Sequence, residues 1–231
     1  MRPEWLGQPL FGVALSVVFY SLSLIAGKRF AWLHPLFVSS GGIILFLVLT
    51  DIPYEVYEAG GEIVTFFLGP ATVALGVPLY KYRKRIRAEW VAVLGGITAG
   101  ALVSIVSTGG LLWALGASRE TILSAMPKSV SSPIALELAR LTGGSPELSA
   151  TLTVLTGLAG SMMGISLLRL LRIRGDLPIG VAIGTAAHGI GTSRLLRQSE
   201  AQGSYSGFAM AMNGIVTGLL YIPIVWWLDR V

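Results

Sequence analysis

The feature that most constrains this chain is a series of long segments without Asp, Glu, Lys or Arg. A helix of about 20 apolar residues crosses the hydrocarbon core of a bilayer. Only 13% of the residues are charged, whereas soluble domains carry roughly 25%, so a single soluble domain is excluded. The uncharged segments are residues 9–27, 32–50, 63–80, 91–115, 148–168, 177–193 and 208–228. We therefore predict an all-α polytopic membrane protein, in which residues 9–27 are a retained helix rather than a signal peptide.

The basic residues predict how these segments are oriented. They cluster after the first segment at Lys28 and Arg29, in residues 81–87 and in residues 169–174, and Lys- and Arg-rich loops stay in the cytoplasm. The loop at residues 51–62 holds four acids and no base, so we expect it to face outwards. The N-terminus then lies outside. The same asymmetry explains the net charge of +5 without a nucleic-acid partner.

Residues 117–146 leave and return on the outer side in this scheme. They are too polar to cross a bilayer, and the stretch "MPKSVSSP" at residues 126–133 places a turn between Pro127 and Pro133. Irregular backbone at membrane depth is tolerated where protein or a water-filled cavity surrounds it. We therefore predict a re-entrant hairpin whose tip, residues 126–133, lines a cavity. Whether residues 117–144 and 177–197 span or re-enter is left open by the sequence.

Short patterns recur at an offset of roughly half the chain. "GPATVALGVP" at residues 69–78 is similar to "GTAAHGIGTS" at 184–193, and "GGITAGAL" at 95–102 is similar to "NGIVTGLL" at 213–220. The orientation scheme would give the two copies opposite directions, as in the inverted repeats of secondary transporters. We predict a single domain, residues 1–231, built as a transporter-like bundle from inverted halves of about 1–112 and 113–231. Chance similarity between Gly- and Ala-rich helices is the alternative.

Lys128 is the first candidate for a binding residue. An ionisable side chain at membrane depth is costly and points to function, and it is flanked by hydroxyl groups that could hydrogen-bond a carboxylate. The alternative is a lysine that snorkels to the interface while the serines cap a helix. The flanking candidates are Ser129, Ser131 and Ser132.

His188 is the second candidate, because it is the only ionisable residue between Asp176 and Arg194. It could bind substrate or carry a proton, since the unperturbed pKa of histidine is about 6.5; a packed neutral histidine is the alternative. The neighbouring glycines either admit a ligand or permit tight helix packing. The further binding candidates around this segment are Thr185, Gly189, Gly191 and Thr192.

Prolines and small residues mark the places where we expect helices to break. Proline removes a backbone donor and leaves a carbonyl that needs another partner. Asn213 is polar within an apolar segment and should face the bundle, where it either bonds another helix or contacts substrate. The predicted break positions are Pro70, Thr72, Pro78, Pro127, Pro133 and Gly184.

The sequence contains no pattern that indicates catalysis. There is no cysteine, the two histidines are far apart, and neither a phosphate-binding glycine loop nor a nucleophile motif is present. We expect no metal, no cofactor and no enzymatic activity.

Three blocks of this sequence closely resemble the LrgB/CidB family of bacterial membrane proteins. They are "LGPATVALGVPLY" at residues 68–80, "MPKSVSSPIALEL" at 126–138 and "IGVAIGTAAHGIGTSRLL" at 179–196. A related domain forms part of the plastidial glycolate/glycerate translocator. The resemblance implies a multi-pass protein of the bacterial inner membrane that forms homo-oligomers and could join an LrgA-like membrane subunit.

The resemblance implies two functions. One is secondary transport of small 2-hydroxy or 2-oxo monocarboxylates such as glycolate, glycerate, lactate or pyruvate. The other is a holin- or antiholin-like role in murein hydrolase export and autolysis. Broken helices with polar residues at the midplane favour transport by alternating access. The substrate carboxylate would then lie between residues 127–132 and 184–192, neutralised by Lys128 and assisted by His188.

Overall fold

The fold is described from a computed structural model for residues 8–29, 35–67, 70, 73–74 and 76–228. Across these residues the chain forms ten helices and no strand. Within the same residues, four helices are long and apolar enough to cross a membrane: Pro9–Gly27, Trp90–Ala114, Pro146–Leu170 and Glu200–Trp226. The predicted all-α polytopic membrane architecture is confirmed. The contacts divide the chain into two compact units, Met1–Gly76 and Val77–Val231.

The first unit consists of three helices. They are α1 (Pro9–Arg29), α2 (Pro35–Leu49) and α3 (Tyr54–Phe66). A Cβ atom added to Gly60 would lie 2.6 Å from the Cα of Gly12, so this glycine pair lets α1 and α3 approach closely. The hydroxyls of Ser16 and Tyr57 are hydrogen-bonded at 3.0 Å across the same contact.

One sequence expectation for this unit needs correction. Residues 51–62 were expected to be a loop, but three of the four acidic residues in this stretch lie on α3, which begins at Tyr54. Residues 63–80 were predicted to contain breaks at Pro70, Thr72 and Pro78. Here α3 ends at Phe66, and the next described helix of several turns begins at Gly76.

The second unit contains the remaining seven helices found in the described residues. They are α4 (Gly76–Ala88), α5 (Trp90–Ala114), α6 (Arg119–Ala125), α7 (Ser132–Thr142), α8 (Pro146–Leu170), α9 (Asp176–Gln198) and α10 (Glu200–Leu228). Apolar residues of α5, α9 and α10 form its largest buried cluster, which includes Ile97, Leu177 and Tyr205.

Helices α6 and α7 form the first hairpin. Ser118 caps α6 by accepting a hydrogen bond from the Thr121 backbone N–H, and Gly143 ends α7 with the left-handed φ of 83° that favours glycine. The residue that follows the hairpin is tied to α6, because the hydroxyl of Ser124, near the C-terminal end of α6, accepts a hydrogen bond from the Ser145 N–H at 2.7 Å. The turn between the helices, residues 126–131, is the tip of the first hairpin.

Helix α9 is itself a second hairpin, folded back at His188. This residue has φ 39° and ψ −136°, a backbone conformation strained for any residue except glycine. A straight helix of 23 residues would be about 34 Å long, yet Asp176 at its start accepts a 2.8 Å hydrogen bond from Gln202, beyond its end. A Cβ on Gly191 would lie 2.6 Å from Ile183 Cγ2. Residues 176–187 and 189–198 are therefore antiparallel arms.

Helices α8 and α10 hold the second hairpin between them. On α8, Gly157, Gly160 and Gly164 face the His188 ring, Ala187 and Ile183, with added Cβ atoms at 2.6 Å in each case. On the α10 side, a Cβ on Gly180 would lie 2.6 Å from the Gln202 carbonyl oxygen. Larger side chains at these glycine positions would clash across the contacts between the two arms of α9 and their neighbours α8 and α10.

Both hairpin tips reach the middle of the long helices. Lys128 and Ser129 of the first tip contact Ser104 near the centre of α5. Asn213, near the centre of α10, contacts Ser129 and also Thr185 on the second hairpin. The first hairpin therefore inserts its tip among the long helices, and its re-entry into the membrane stays a prediction. Residues 177–193, for which the sequence left spanning or re-entry open, reverse direction at His188.

Candidate functional site

A cleft of about 720 Å³ lies between α5 and the first arm of α9. Glu89, Leu177 and Pro178 line one end of it, where both helices begin, and Lys128, Ser129 and Ser104 line the other end. Glu89 and Ser104 are fifteen positions apart on α5, a rise of about 22 Å. The cleft therefore extends from the N-terminal end of α5 to the middle of that helix.

The deep end of the cleft is polar and carries one cation. Lys128 Nζ donates to the Ser104 hydroxyl at 3.4 Å, and that hydroxyl is 2.7 Å from the hydroxyl of Ser129. Lys128 forms no ion pair with any carboxylate of the described residues. A partly buried ammonium without a counter-ion is costly unless an anion or water completes its shell.

Thr185 also lines the cleft, but its hydroxyl is buried inside the protein and has no hydrogen-bond partner within the described chain. Buried polar atoms are normally paired. The groups offered at this end of the cleft are therefore the Lys128 ammonium and the hydroxyls of Ser129 and Ser104. They come from two chain segments, the tip of the first hairpin and α5.

Asn213 fixes the relative position of the two hairpins. Its Nδ2 donates to the Ser129 carbonyl at 2.9 Å and to the Thr185 carbonyl at 3.1 Å, and the residue is fully buried. Asn213 is therefore not one of the groups that face the cleft. It bonds the bundle, which is one of the two roles that the sequence left open.

His188 does not line the cleft. Its Nε2–H donates to the Thr153 carbonyl at 2.9 Å, the ring packs against Gly157, and 4% of the residue is exposed. Its chain neighbours Thr185 and Ala186 line the cleft instead. The histidine therefore stabilises the reversal of α9 against α8, and the structure does not bring it together with Lys128.

The remaining candidates around the second hairpin have packing contacts. Thr192 Oγ1 donates to the His188 carbonyl at 2.8 Å and contacts the Ser206 hydroxyl. Gly184 lies in regular helix against the Ser206 carbonyl, and the non-helical residue is His188, four positions later. Gly191 packs against the first arm of α9. A Cβ added to Gly189 would lie 3.7 Å from the Met210 Sδ.

The serines and prolines of the first hairpin are divided between site and scaffold. Ser131 precedes α7 without a side-chain capping bond, Ser132 begins that helix and Pro133 occupies its first turn, and none of the three lines the cleft. Pro127 is buried in the tip. In the other predicted break, Pro78 lies in the first turn of α4 and Pro70 is exposed, while Thr72 lies outside the described residues.

Ser104 and Thr156 are cleft residues that the sequence reasoning did not select. Both line the cleft, and both are small polar residues within uncharged segments, as Asn213 is. That signal could have pointed to them, but hydroxyls also bond their own helix backbone, as Thr151 does here. Polarity alone therefore does not separate site from scaffold.

The cleft is closed behind its polar end. Between the tip of the first hairpin and α5, the remaining space bounded by Ala101, Ile105 and Val130 is too narrow for water. Val130 is 1% exposed. A solute could therefore enter as far as Lys128 without passing through the second unit.

These features define a class: a polytopic α-helical membrane protein with two helical hairpins and a blind cleft that ends at a cation. No group of three or more His, Cys, Asp or Glu that could hold a metal occurs in the part of the chain described. The model of the LrgB-like family matches residues 16–228. The chain belongs to this family, which confirms the resemblance seen in the sequence.

Two relatives from Bacillus subtilis (strain 168) extend along nearly the whole chain. The uncharacterized protein YwbG is 34% identical over 205 residues, which cover 88% of this chain and 91% of the relative. The uncharacterized protein YxaC is 34% identical over 223 residues, which cover 95% of this chain and 96% of the relative. No solved structure matches this chain.

Proposed function

We propose that this protein is a secondary carrier of small 2-hydroxy or 2-oxo monocarboxylates, such as glycolate, glycerate, lactate or pyruvate. The observation that carries the proposal is the position of Lys128, an ammonium without a protein counter-ion at the blind end of a cleft. A carboxylate would complete its electrostatic shell, and charge-assisted hydrogen bonds of this kind are strong. The carrier would act in the bacterial cell membrane, as a homo-oligomer or together with an LrgA-like subunit.

The hydroxyl groups beside Lys128 support an oxygen-rich substrate. The hydroxyls of Ser129 and Ser104 would donate to the second carboxylate oxygen and to the oxygen on carbon 2. The sequence offered His188 for substrate binding or for carrying a proton, but His188 faces α8. Neither role is therefore assigned to it, and the coupling of transport to a proton has no residue assigned to it.

Alternating access would require the closed end of the cleft to open on the other side. The two hairpins are the elements suited to this motion, because they meet near mid-depth and are joined through one residue, Asn213. Broken helices at a central site are typical of carriers. A pore needs no binding pocket, so an unpaired lysine at a blind end favours the carrier over the holin-like function.

Counterflow into liposomes tests the proposal. We expect Lys128→Ala to lower the uptake of labelled pyruvate or glycolate at least about tenfold, because a desolvated charge pair at this depth contributes on the order of 2 kcal/mol or more. Lys84→Ala is the matched control, since Lys84 is exposed on α4 and does not line the cleft. Its uptake should equal that of the wild type.

Three adverse outcomes are distinguishable. Undiminished counterflow by Lys128→Ala would remove Lys128 from the mechanism. Release of a trapped dye by the wild-type protein, with no saturation by any acid, would instead support a holin-like pore. A protein that neither transports nor leaks would fit a purely regulatory role in autolysis.

A further inference from the structure

The walls of the cleft are apolar along most of its length. Between the polar end and Glu89, the lining residues are small or aliphatic: Ala92, Val93, Gly96, Gly100, Val103, Val181, Ala182 and Ala186. A carboxylate of two or three carbons at Lys128 would contact few of them. The volume of about 720 Å³ is in the upper part of the range of roughly 300–1,000 Å³ for pockets that bury drug-sized ligands.

We propose that the preferred ligand is an unbranched monocarboxylate with an apolar tail of about four to eight carbons, held with its carboxylate at Lys128 and its tail along α5. The distance from Ser104 back to Gly96 is about 12 Å along the helix. An extended chain advances about 1.2 Å per bond, so the seven carbon–carbon bonds of an eight-carbon acid span about 8 Å, past Gly100 and towards Gly96. The three bonds of a four-carbon acid span about 4 Å, which ends short of Gly100. This inference rests on the proposed function and specifies its substrate class.

Gly96 and Gly100 leave the room that such a tail needs. A Cβ added to Gly96 would meet only Val181 Cγ1, at 3.9 Å, whereas a Cβ on Gly100 would lie 2.9 Å from Thr185 Cγ2. A side chain at Gly96 would therefore occupy the cleft without disturbing the protein. A side chain at Gly100 would push α5 away from α9, so Gly96 is the position at which the tail can be blocked selectively.

Charge along the cleft favours one carboxylate over two. Among the described residues that line it, Lys128 is the only basic one, and Glu89 at the opposite end is the only acidic one. A dicarboxylate of eight carbons would place its second charge against apolar walls or near Glu89, and both are unfavourable. The site should therefore distinguish acids with an apolar end from acids charged at both ends.

Binding to the purified full-length protein in lipid nanodiscs tests the proposal. Dissociation constants are measured for pyruvate, 2-oxopentanoate, 2-oxooctanoate and octanedioate. Each buried methylene should tighten binding about three- to fourfold. We therefore expect 2-oxopentanoate to bind about tenfold more tightly than pyruvate, 2-oxooctanoate to bind tighter still, and octanedioate to lose that gain.

Variants of adjacent glycines separate the cleft from non-specific partition into lipid. Gly96→Leu should bind pyruvate like the wild type and lose the gain for 2-oxooctanoate. Gly95→Leu is the matched control, because Gly95 has nothing within 4 Å of an added Cβ and does not line the cleft. It should keep the gain. Lys128→Ala should weaken binding of all the monocarboxylates.

Each adverse outcome identifies what has failed. Equal affinity for pyruvate and 2-oxooctanoate would overturn the tail assignment and leave the proposed function intact. The same gain in Gly96→Leu as in the wild type, or undiminished binding of 2-oxooctanoate by Lys128→Ala, would overturn it as well, since binding would then be partition into lipid. Absence of binding by every acid would overturn both the tail assignment and the proposed function.

Discussion

Asn213 connects three elements through one side chain, although it carries no charge and does not line the cleft. Its amide nitrogen satisfies the carbonyls of Ser129 and Thr185, which belong to opposite hairpins. The same side chain therefore holds Ser129, which is proposed to bind the carboxylate, against the cleft wall at Thr185. We regard it as a positioning residue, because it acts through groups that face the cleft rather than on the ligand itself.

Replacement of Asn213 by leucine should therefore affect both stability and substrate affinity. The substitution keeps the approximate shape but leaves two buried carbonyls without donors, at a cost of about 1–3 kcal/mol for each. We expect the thermal unfolding midpoint in detergent to fall by several degrees. We also expect the substrate concentration that gives half-maximal transport to rise by a larger factor than the maximal transport rate changes. Asn213→Asp should also weaken the joint, because a carboxylate cannot donate.

Ser131→Ala is the control for this prediction. Ser131 has a hydroxyl in the same hairpin but no capping bond, so its loss should leave both measurements close to those of the wild type. An Asn213→Leu protein with unchanged midpoint and unchanged half-saturation would show that the joint is unimportant.

At the residue scale, the sequence predicted some positions and not others for a physical reason. Lys128 stood out because a charge in an apolar context has few explanations, and it does line the cleft. His188 stood out for the same reason but faces α8. The direction of a side chain depends on backbone torsion angles, and the reversal at His188 is not visible in composition or spacing.

At the scale of the helices, contacts at glycine explain how α9 can lie folded between two neighbours. Gly184 on the first arm is placed against the backbone of α10, where an added Cβ would meet the Ser206 carbonyl and lie 2.9 Å from the Ala209 Cβ. By contrast, Gly218 on α10 has nothing within 4 Å of an added Cβ. The two positions should therefore respond in opposite directions to the same substitution.

Gly184→Ala should destabilise the protein, by about 1–3 kcal/mol, because overpacking against backbone cannot be relieved by a rotamer change. Gly218→Ala should be neutral or stabilise by up to about 1 kcal/mol, because alanine restricts the unfolded chain and fits the helix. The fraction of protein that stays folded after heating measures both. Equal effects of the two substitutions would contradict the close packing of α9 and α10.

The sequence predicted most of the helices but not how α9 folds. Uncharged runs identified α5, α8 and α10, because length and hydropathy specify a span directly. A hairpin in residues 117–146 was predicted from the charges of the flanking loops and from the two prolines. A glycine-rich run such as 177–193 fits both a kinked span and a hairpin, and only the contacts between Gly191 and Ile183 and between Gln202 and Asp176 distinguish them.

At the scale of the whole molecule, the orientation in the membrane stays a prediction. The basic run 81–87 and the start of α5 should both be cytoplasmic, and Glu89 lines the open end of the cleft. The cleft would therefore open to the cytoplasm in this conformation. The predicted division into inverted halves also stays a prediction.

Single cysteines can test the orientation, since the chain has none of its own. We expect Ala186→Cys, in the cleft wall, to react with a membrane-impermeant thiol reagent only from the cytoplasmic side, and a transported acid should slow the reaction. Ala117→Cys, in the turn before α6, is the matched position expected to react only from outside. The reverse pattern would mean that the orientation scheme is wrong.

The packed region behind Lys128 has a consequence for the rate at which the protein can work. If transport of the substrate requires the hairpins to rearrange, each molecule transports one substrate per conformational cycle. Collective rearrangements of this size take microseconds to milliseconds. The maximal transport rate of each molecule would then be limited by this rearrangement, however steep the substrate gradient. A cell that needed a higher total rate would have to synthesise more copies of the protein.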